Sequence, residues 1–317
     1  MSRLFAGFDG GGSKTACVLC DGNGTPLGEG FGGPSNFRYC GEDVARKSMT
    51  DALASAFAAA GLKPSRLKRA YVSNATIPTY GGDKYVDFFA GCVDAERLTC
   101  EGDLYPIWYG EAGDDPAVVL IAGTGSVAYL FRGKTTVRAG GWGPYIGDEG
   151  SGYDIGVNAL RTIMRMYDGR LEEDRQFIAE VSPQDNLRML GGFFAGASRS
   201  DIAALAGKVM KLAESGNPTA ISLVRRASDE IMALVRAVTQ RDGNADRLPL
   251  ILSGGLMYEG SPMLGMVRDK ARELSGRISE VKRACHKPSY ISAALALRAE
   301  GLHTASKALL EGSVSRC

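Results

Sequence analysis

The chain has 317 residues, a length that corresponds to about two domains and can bury a substantial hydrophobic core. Basic and acidic residues nearly balance, at 37 and 36, which argues against a broad surface for nucleic acid or an acidic membrane. The apolar runs are shorter than the roughly 18 residues that a membrane span requires, and Gly7 and Asp9 interrupt the N-terminus before a secretory signal forms. We therefore expect a cytoplasmic protein that binds neither nucleic acid nor membranes.

Glycine is the compositional outlier, with 42 residues, about 13% of the chain against an average of about 7%. The glycines cluster between apolar, strand-like runs, which favours phosphate-binding turns over flexible linkers.

The seven cysteines are irregularly spaced, so a disulfide framework is not expected. Cys17 and Cys20 lie in a predicted strand, where residues three apart point to opposite faces. The only histidines are His286 and His303, so a histidine-rich metal site or a Ser-His-Asp triad is not expected.

The N-terminal part of the chain predicts strands and helices in alternation. Strands are predicted over residues 4–8, 15–21, 26–31, 69–73 and 97–100, with helices over 42–60 and 83–91. The pattern then restarts with strands over 117–122, 127–132 and 135–139. Gly10, Gly12 and Ser13 recur 113 positions later as Gly123, Gly125 and Ser126, which indicates an internal repeat of one structural unit.

The part of the chain after Gly152 is mostly helical by its apolar spacing. Helices are predicted over 153–167, 201–215 and 218–241, then a buried strand over 248–252, a further helix, and final helices from about 289 that Gly301 divides. We expect a domain over 1–115, on which a helix over about 298–317 packs back, and a second over 116–297 with a helical insert over about 153–241.

Two familiar nucleotide motifs are incomplete. Gly7 and Gly12 have the spacing of the two glycines of a Walker A loop, but that loop needs lysine directly after Gly12, where Ser13 stands. The G-x-G-x-x-G that begins at Gly28 is followed by Pro34 and opens no helix, so a dinucleotide-dependent dehydrogenase is not supported.

The two glycine-rich turns are the better candidates for phosphate binding. Each offers unblocked backbone N–H groups and a hydroxyl, from Ser13 in one turn and from Thr124 and Ser126 in the other. For either turn alone, the alternative is a plain hairpin that binds no ligand. Because the two turns occupy corresponding positions in a repeat, we favour a polyphosphate ligand that both turns bind. Asp9, at the end of the first strand, is placed to hold Mg²⁺, directly or through water.

Residues 140–152 form the densest glycine segment and also contain Trp142, Asp148 and Glu149. The acidic residues precede a predicted helix and could simply cap it. Carboxylates beside a tryptophan also suit a sugar, because they accept hydrogen bonds from hydroxyl groups, and we favour this interpretation.

The sequence resembles a known group in four motifs, which read DGGGSKT, IAGTGS, GGWGPYIGDEGSG and LSGG. They are similar to those of the actin-like sugar kinase/hsp70 superfamily, and most similar to the N-acetylglucosamine kinase branch of the benzoyl-CoA reductase and 2-hydroxyacyl-CoA dehydratase activator ATPase family. The resemblance runs from about Leu4 to Leu297. It implies an α/β fold with two ribonuclease H-like domains flanking a nucleotide cleft, a homodimer, and phosphorylation of an amino sugar by ATP with Mg²⁺, most simply N-acetylglucosamine at its 6-hydroxyl.

The resemblance also implies roles for individual residues. The residues that bind the nucleotide and its Mg²⁺ would be Asp9, Gly10, Gly11, Gly12, Ser13, Lys14, Gly123, Thr124, Gly125 and Ser126, with Gly254 and Gly255 beside the adenosine. The sugar-binding residues would be Asn36, Asn74, Thr124, Gly141, Trp142 and Asp148, and Asp103 would be the catalytic base. Asp103 is followed by bulky residues and Pro106, unlike the small residues usual in the family, so spacing alone leaves Asp114 and Asp115 as alternatives.

Three other functions remain open at this level. The sugar could be glucosamine. The protein could be an ATPase activator with a [4Fe–4S] cluster, whose ligands would come from Cys17, Cys20, Cys40 or Cys100, although strand spacing argues against it. It could also be a regulator without catalysis, but the sequence shows no DNA-reading helical segment and no zinc-binding cysteine cluster.

Overall fold

In a computed structural model, which describes residues 3–77, 82–133 and 135–313, the chain forms two compact units. The first unit comprises the chain up to Gly113 and resumes at Ala284, and the second is Asp114–Arg283. The expected helix over 298–317 therefore falls in the first unit as far as it is described, because residues 314–317 lie outside the described residues.

Strands and helices are numbered here in chain order. The strands are β1 (Leu4–Gly10), β2 (Thr15–Asp21), β3 (Pro26–Gly32), β4 (Arg69–Asn74), β5 (Leu98–Glu101), β6 (Ala117–Ala122), β7 (Ser126–Arg132), β8 (Thr135–Gly140), β9 (Leu248–Ser253) and β10 (Ile278–Arg283). The helices are α1 (Phe37–Cys40), α2 (Glu42–Ala59), α3 (Val86–Ala90), α4 (Leu104–Ala112), α5 (Gly152–Tyr167), α6 (Arg175–Val181), α7 (Leu190–Gly196), α8 (Arg199–Glu214), α9 (Pro218–Arg241), α10 (Pro262–Glu273), α11 (Pro288–Arg298) and α12 (His303–Glu311). Short 3₁₀ turns lie at Gly82–Tyr85 and Leu187–Met189.

The two units contain sheets of the same topology. In the first unit the strand order is β3-β2-β1-β4-β5, and in the second it is β8-β7-β6-β9-β10. In both sheets the first three strands in the chain form an antiparallel meander, and the last two run parallel to the first of them. The repeated glycine turns thus occupy the same place in two copies of one α/β fold.

The glycines of the incomplete nucleotide motifs serve close packing in the first unit. A Cβ atom on Gly30 of β3 would lie 2.1 Å from the carbonyl oxygen of Ala52 on α2. On the other face of the sheet, a Cβ atom on Gly7 of β1 would lie 2.0 Å from the backbone nitrogen of Ala293 on α11. These glycines let helices lie directly on the sheet, and they explain the near-matches to nucleotide motifs without any nucleotide.

Helix α11 marks where the structure differs from the domain division expected from the sequence. The sequence placed the end of the second domain at residue 297, whereas the second unit ends at Arg283. Nearly every residue of α11 is buried, and its apolar side chains form one cluster with Phe5, Val18 and Cys20 of the first sheet. A helix that is apolar on all sides must be covered all round, and here the first sheet, α4 and α12 provide the cover.

Helix α9 packs on the second sheet, helices α5 and α8 pack on α9 and on each other, and all three contribute to one apolar core. A Cβ atom on Gly156 of α5 would lie 2.1 Å from the carbonyl oxygen of Ile202 on α8, so the two helices pack backbone to backbone. No helix within the described ranges combines the length and the apolar character needed to cross a bilayer.

Candidate active site

The predicted residues of the first unit lie along one edge of its sheet. Strands β1, β4 and β5 are parallel, so their carboxyl ends share an edge, which is where α/β proteins bind ligands. The register pairs Gly10 with Asn74 and Ser73 with Glu101, and Asp103 follows two residues after Glu101. The fold therefore brings Asp9, Gly10, Asn74 and Asp103 to the same edge.

The turn between β1 and β2 presents its backbone to solvent. The Gly11 N–H donates to the Lys14 carbonyl oxygen at 3.0 Å, which closes the turn. A Cβ atom on Gly12 would meet nothing within 4 Å, and Ser13 and Lys14 are exposed. A turn of this kind, with an exposed ammonium group, leaves room for phosphate oxygens.

Asn74 supports the neighbouring loop from inside the protein. Its side chain is fully buried, and its Nδ2 donates to both the carbonyl oxygen and the Oγ of Ser35 at 3.1 Å. Its Oδ1 accepts the Thr76 N–H at 2.8 Å, and the Thr76 hydroxyl donates to Asn36 Oδ1 at 3.2 Å. Asn74 is a predicted sugar contact, and its hydrogen bonds to Ser35 and Thr76 also position Asn36.

Asp9 is the carboxylate nearest to the first turn. Burial raises the pKa of Asp9 to about 6, although the positive charge of Lys14 opposes the rise. The described residues contain no group of three or more metal-ligating side chains, so they form no cage that would hold a cation by protein ligands alone. Mg²⁺ usually binds through one or two carboxylates, water and substrate phosphates, and a partly buried carboxylate beside the predicted phosphate-binding turn fits that chemistry.

Asp103 is the N-cap residue of α4, and its side chain makes no capping hydrogen bond to the helix. The alternatives Asp114 and Asp115 are exposed and follow the other end of α4, which at nine residues is about 13 Å long. They lead into the N-terminal end of β6, opposite to the Gly123–Ser126 turn. Of these three carboxylates, Asp103 alone follows the carboxyl end of a parallel strand.

In the second unit, the turn after β6 is held by several backbone contacts. The Gly123 N–H donates to the Gly125 carbonyl oxygen at 2.9 Å, and the Gly123 carbonyl oxygen accepts the N–H of Gly152 at 2.7 Å. Gly254 has a φ of +103°, and a Cβ atom there would lie 2.3 Å from the Ala122 carbonyl oxygen. Gly254 and Gly255 thus lie against the end of β6, beside Gly123, as a pair of exposed glycines.

Asp148 lies beneath this turn and pairs with a residue that the sequence analysis missed. Asp148 is 3% exposed and has a φ of +58°, a left-handed conformation that no other described residue except glycine adopts. Its Oδ2 accepts a hydrogen bond from Arg199, and its Oδ1 accepts the Ser126 N–H at 3.3 Å. A Cβ atom on Gly125 would lie 2.6 Å from Arg199 Nη2 and 2.9 Å from Asp148 Oδ1. Glycine at this position lets the ion pair lie directly against the turn.

Burial raises the pKa of Asp148, and the positive charge of Arg199 is the largest opposing influence. Arg199 is the first residue of α8, where the helix dipole disfavours a cation. The sequence predicts the start of this helix only at residue 201, so Arg199 is not among the predicted site residues. A cation in the first helical turn was the signal that could have identified it.

The glycine segment before α5 places apolar side chains in solvent. Trp142 is 63% exposed, and the Arg138 guanidinium lies over its ring at 4.5 Å from the centroid. The Gly141 N–H donates to the Ser126 carbonyl oxygen at 2.9 Å, which ties the segment to the second turn. Gly141 and Trp142 therefore lie near Ser126 of the second turn.

Within the described residues, Cys17 and Cys20 are not arranged as ligands of one cluster. Cys17 belongs to the apolar cluster on the α2 face of the first sheet, and Cys20 to the cluster on the α11 face. Burial raises the pKa of Cys20 and of Cys100 to about 12, which keeps these thiols protonated at neutral pH. Protonated thiols on opposite faces of one sheet do not suit a shared iron–sulfur cluster.

The chain is similar to known proteins over nearly its whole length. The chain is 26% identical to the N-acetyl-D-glucosamine kinase of Dictyostelium discoideum, over 94% of this chain and 99% of that protein. It is 27% identical to the N-acetylmuramic acid/N-acetylglucosamine kinase of Clostridium acetobutylicum, over 75% of this chain and 80% of that protein. The structure of a candidate N-acetylglucosamine kinase from Chromobacterium violaceum matches with a TM-score of 0.74 and 24% identity, covering 93% of this chain and 99% of that one.

The structural match supports the fold that the sequence motifs implied, that of the actin-like ATPases and sugar kinases. A protein-family model matches residues 6–293, a range that includes all of the predicted site residues. The chain belongs to the BadF/BadG/BcrA/BcrD ATPase family.

Proposed function

We propose that this protein is an ATP-dependent kinase that phosphorylates an amino sugar, with N-acetylglucosamine as the expected substrate and its 6-hydroxyl as the acceptor. One observation supports this most directly: two sheets of the same topology each carry a glycine turn at a carboxyl edge, with a buried or partly buried carboxylate beside it. The names of two relatives, which include N-acetylglucosamine, support the sugar class.

In this proposal the two turns bind the phosphates of ATP. The backbone N–H groups of Gly10–Lys14 and Gly123–Ser126, together with the exposed Lys14 ammonium, would meet the negative charge of the transferred phosphoryl group. Thr124 would contact both the nucleotide and the sugar, and Gly254 and Gly255 would lie beside the adenosine. Asp9 would hold Mg²⁺, which when bound supplies charge neutralisation at the phosphates.

The sugar would be oriented by side chains from both parts of the sequence. Asn36, held by Thr76, would donate or accept hydrogen bonds to sugar hydroxyls, and the Asp148 carboxylate, held by Arg199, would accept them. Asn74, Gly141 and Trp142 would be the further sugar-binding residues. Asp103 would orient the acceptor hydroxyl and take its proton as the oxygen attacks the γ-phosphorus atom, so that ADP leaves and the sugar phosphate forms.

A panel of sugars tests the proposed reaction. ADP release would be measured with N-acetylglucosamine, glucosamine, N-acetylmuramic acid, glucose and ATP alone, with product position determined by NMR. We expect turnover to be highest with an amino sugar and lowest with ATP alone. ADP release that is equal with and without every sugar would contradict the kinase assignment, and a preference for glucosamine would correct the substrate.

Asp9 should set the magnesium requirement of the enzyme. The Asp9→Asn variant is expected to need about 10–100-fold more Mg²⁺ for half-maximal activity, because it removes the carboxylate that holds the cation or its water. The measurement is initial rate against free Mg²⁺ at saturating ATP. Asp51→Asn, an exposed carboxylate on α2, is the control and should leave the requirement unchanged. An Asp9→Asn variant with the wild-type magnesium curve would remove Asp9 from this role.

The cytoplasmic location, the homodimer and the absence of nucleic-acid and membrane partners stay predictions from the sequence.

A further inference from the structure

A groove on the second unit lies between α5 and α7 and includes none of the proposed active-site residues. Its cavity volume is about 460 Å³, which falls within the range of about 300–1,000 Å³ typical of small-molecule sites. The α5 wall is formed by Val157, Leu160 and Met164, which share a helix face because they are spaced three and four residues apart.

Helix α7 forms the opposite wall and does not cover the groove. Leu190 at the start of α7 is buried, whereas Phe194, one turn later, is 44% exposed. A Cβ atom on Gly191, which lies between them and also lines the groove, would meet nothing within 4 Å. There is therefore room for a side chain at position 191, beside the groove.

Positive charge lines the same groove. Arg161 and Arg165 lie four residues apart on α5, so their side chains project from the same side of the helix. Neither has an ion pair or side-chain hydrogen bond within the described part of the chain, whereas the third arginine, Arg170, is paired with Asp168 at 2.6 Å. Two like charges at this spacing disfavour each other, and an anion that both guanidinium groups contact would relieve the repulsion.

We propose that this groove binds a small amphipathic anion, a carboxylate on an unbranched alkyl chain of medium length. The alkyl chain would lie on Val157, Met164 and Phe194, where burial of apolar area provides the affinity. The carboxylate would be bound by Arg161 and Arg165, whose planar guanidinium groups match carboxylate geometry. The proposal goes beyond the kinase reaction and does not depend on it.

Decanoate is the probe for this site, and isothermal titration calorimetry on the full-length protein, below the micelle concentration, is the measurement. We expect one decanoate to bind per chain, with decanol and decyltrimethylammonium binding at least about tenfold more weakly because they lack the anionic group. Decyl phosphate serves as a second anion and separates a preference for carboxylate from a preference for any anionic head group. Equal binding of decanoate and decyltrimethylammonium, or no binding of decanoate, would overturn the proposal.

Two kinds of variant separate the charged part of the site from the apolar part. Arg161→Ala/Arg165→Ala should weaken decanoate binding by about tenfold or more. Gly191→Leu should also weaken it, because the new side chain fills the groove where nothing now lies within 4 Å, and leucine is a better helix former than glycine. Arg272→Ala, an exposed arginine on α10, is the matched control and should bind as the wild type does.

Decanoate binding that is unchanged in both groove variants would place the ligand elsewhere and overturn the proposal. A second copy of the chain is the competing occupant. Sedimentation velocity that shows a wild-type dimer, dissociated by Gly191→Leu, together with no decanoate binding, would assign the groove to a subunit interface instead.

Discussion

The Asp103→Asn variant is expected to phosphorylate its sugar about 10²–10⁴-fold more slowly than the wild type, while it still binds ATP and the sugar. Asparagine can hydrogen-bond the acceptor hydroxyl but cannot take its proton, so the loss should appear in kcat and not in KM. The measurements are steady-state rates with the preferred amino sugar and calorimetric titration with a non-hydrolysable ATP analogue.

This loss is separable from an effect on folding. Asparagine is as favourable as aspartate at a helix N-cap, and the Asp103 side chain makes no capping hydrogen bond to α4 that the substitution would remove. The thermal midpoint of Asp103→Asn should therefore stay near that of the wild type. Asp115→Asn, beyond the other end of α4, is the control and should retain full turnover. If Asp115→Asn were inactive and Asp103→Asn active, the base would have to be reassigned.

The strands that carry the glycine turns are the part of the fold that the sequence predicts best. β2 and β6 have the predicted bounds, and β1 extends two residues beyond its prediction, through Asp9 to Gly10. These are buried central strands with continuous apolar runs and glycine at their ends, so local pattern and tertiary position agree. The repeat is visible in the sequence for the same reason, because each copy needs the same turn between the same strands.

Strand β10 shows where local pattern fails. It was not predicted, because Glu280, Lys282 and Arg283 give it the composition of a surface segment. As the last strand of its sheet it pairs on only one side, with β9, and charged side chains are what such edges carry. Residues 278–283 form a strand because they pair with β9, and the sequence pattern within these residues does not indicate that pairing.

The ion pair of Asp148 and Arg199 could not be predicted from the sequence either. The two residues are 51 positions apart, and the helical insert that joins them must fold before Arg199 reaches the carboxylate. The sequence also does not distinguish a glycine with open space around it, such as Gly12, from one that lies against a helix, such as Gly7 or Gly30.

Arg199→Met is expected to destabilise the protein by about 1–3 kcal/mol at pH 8 and to lower kcat/KM for the sugar by about 10–100-fold. Methionine keeps much of the apolar stem but leaves the Asp148 carboxylate buried without its cation. The charged groups that influence Asp148 are Arg199, Glu149 and Arg138, and Arg199 has the largest effect among them. A carboxylate that has lost its main partner should position the sugar poorly and should prefer to be protonated.

The destabilisation should grow with pH. Burial already raises the folded-state pKa of Asp148 above its ordinary value of 3.8, and the loss of Arg199 should raise it further. Below the ordinary value Asp148 is protonated in the folded and unfolded states alike and needs no cation, so the variant should differ least from the wild type there. As pH rises from 3.8 through the raised folded value, the unfolded state gives up its proton first, and the stability of the variant falls.

Thermal midpoints of wild type and Arg199→Met between pH 4 and pH 8 measure this divergence. Arg175→Met is the matched control, because Arg175 is also the first residue of its helix but its side chain is 87% exposed, so its effect should be small and independent of pH. Adding Asp148→Asn to Arg199→Met should restore stability at pH 8, since the double variant buries no unpaired charge. Parallel pH curves for Arg199→Met and the wild type would show that Arg199 does not hold the charge of Asp148, and its role at the second turn would then be steric.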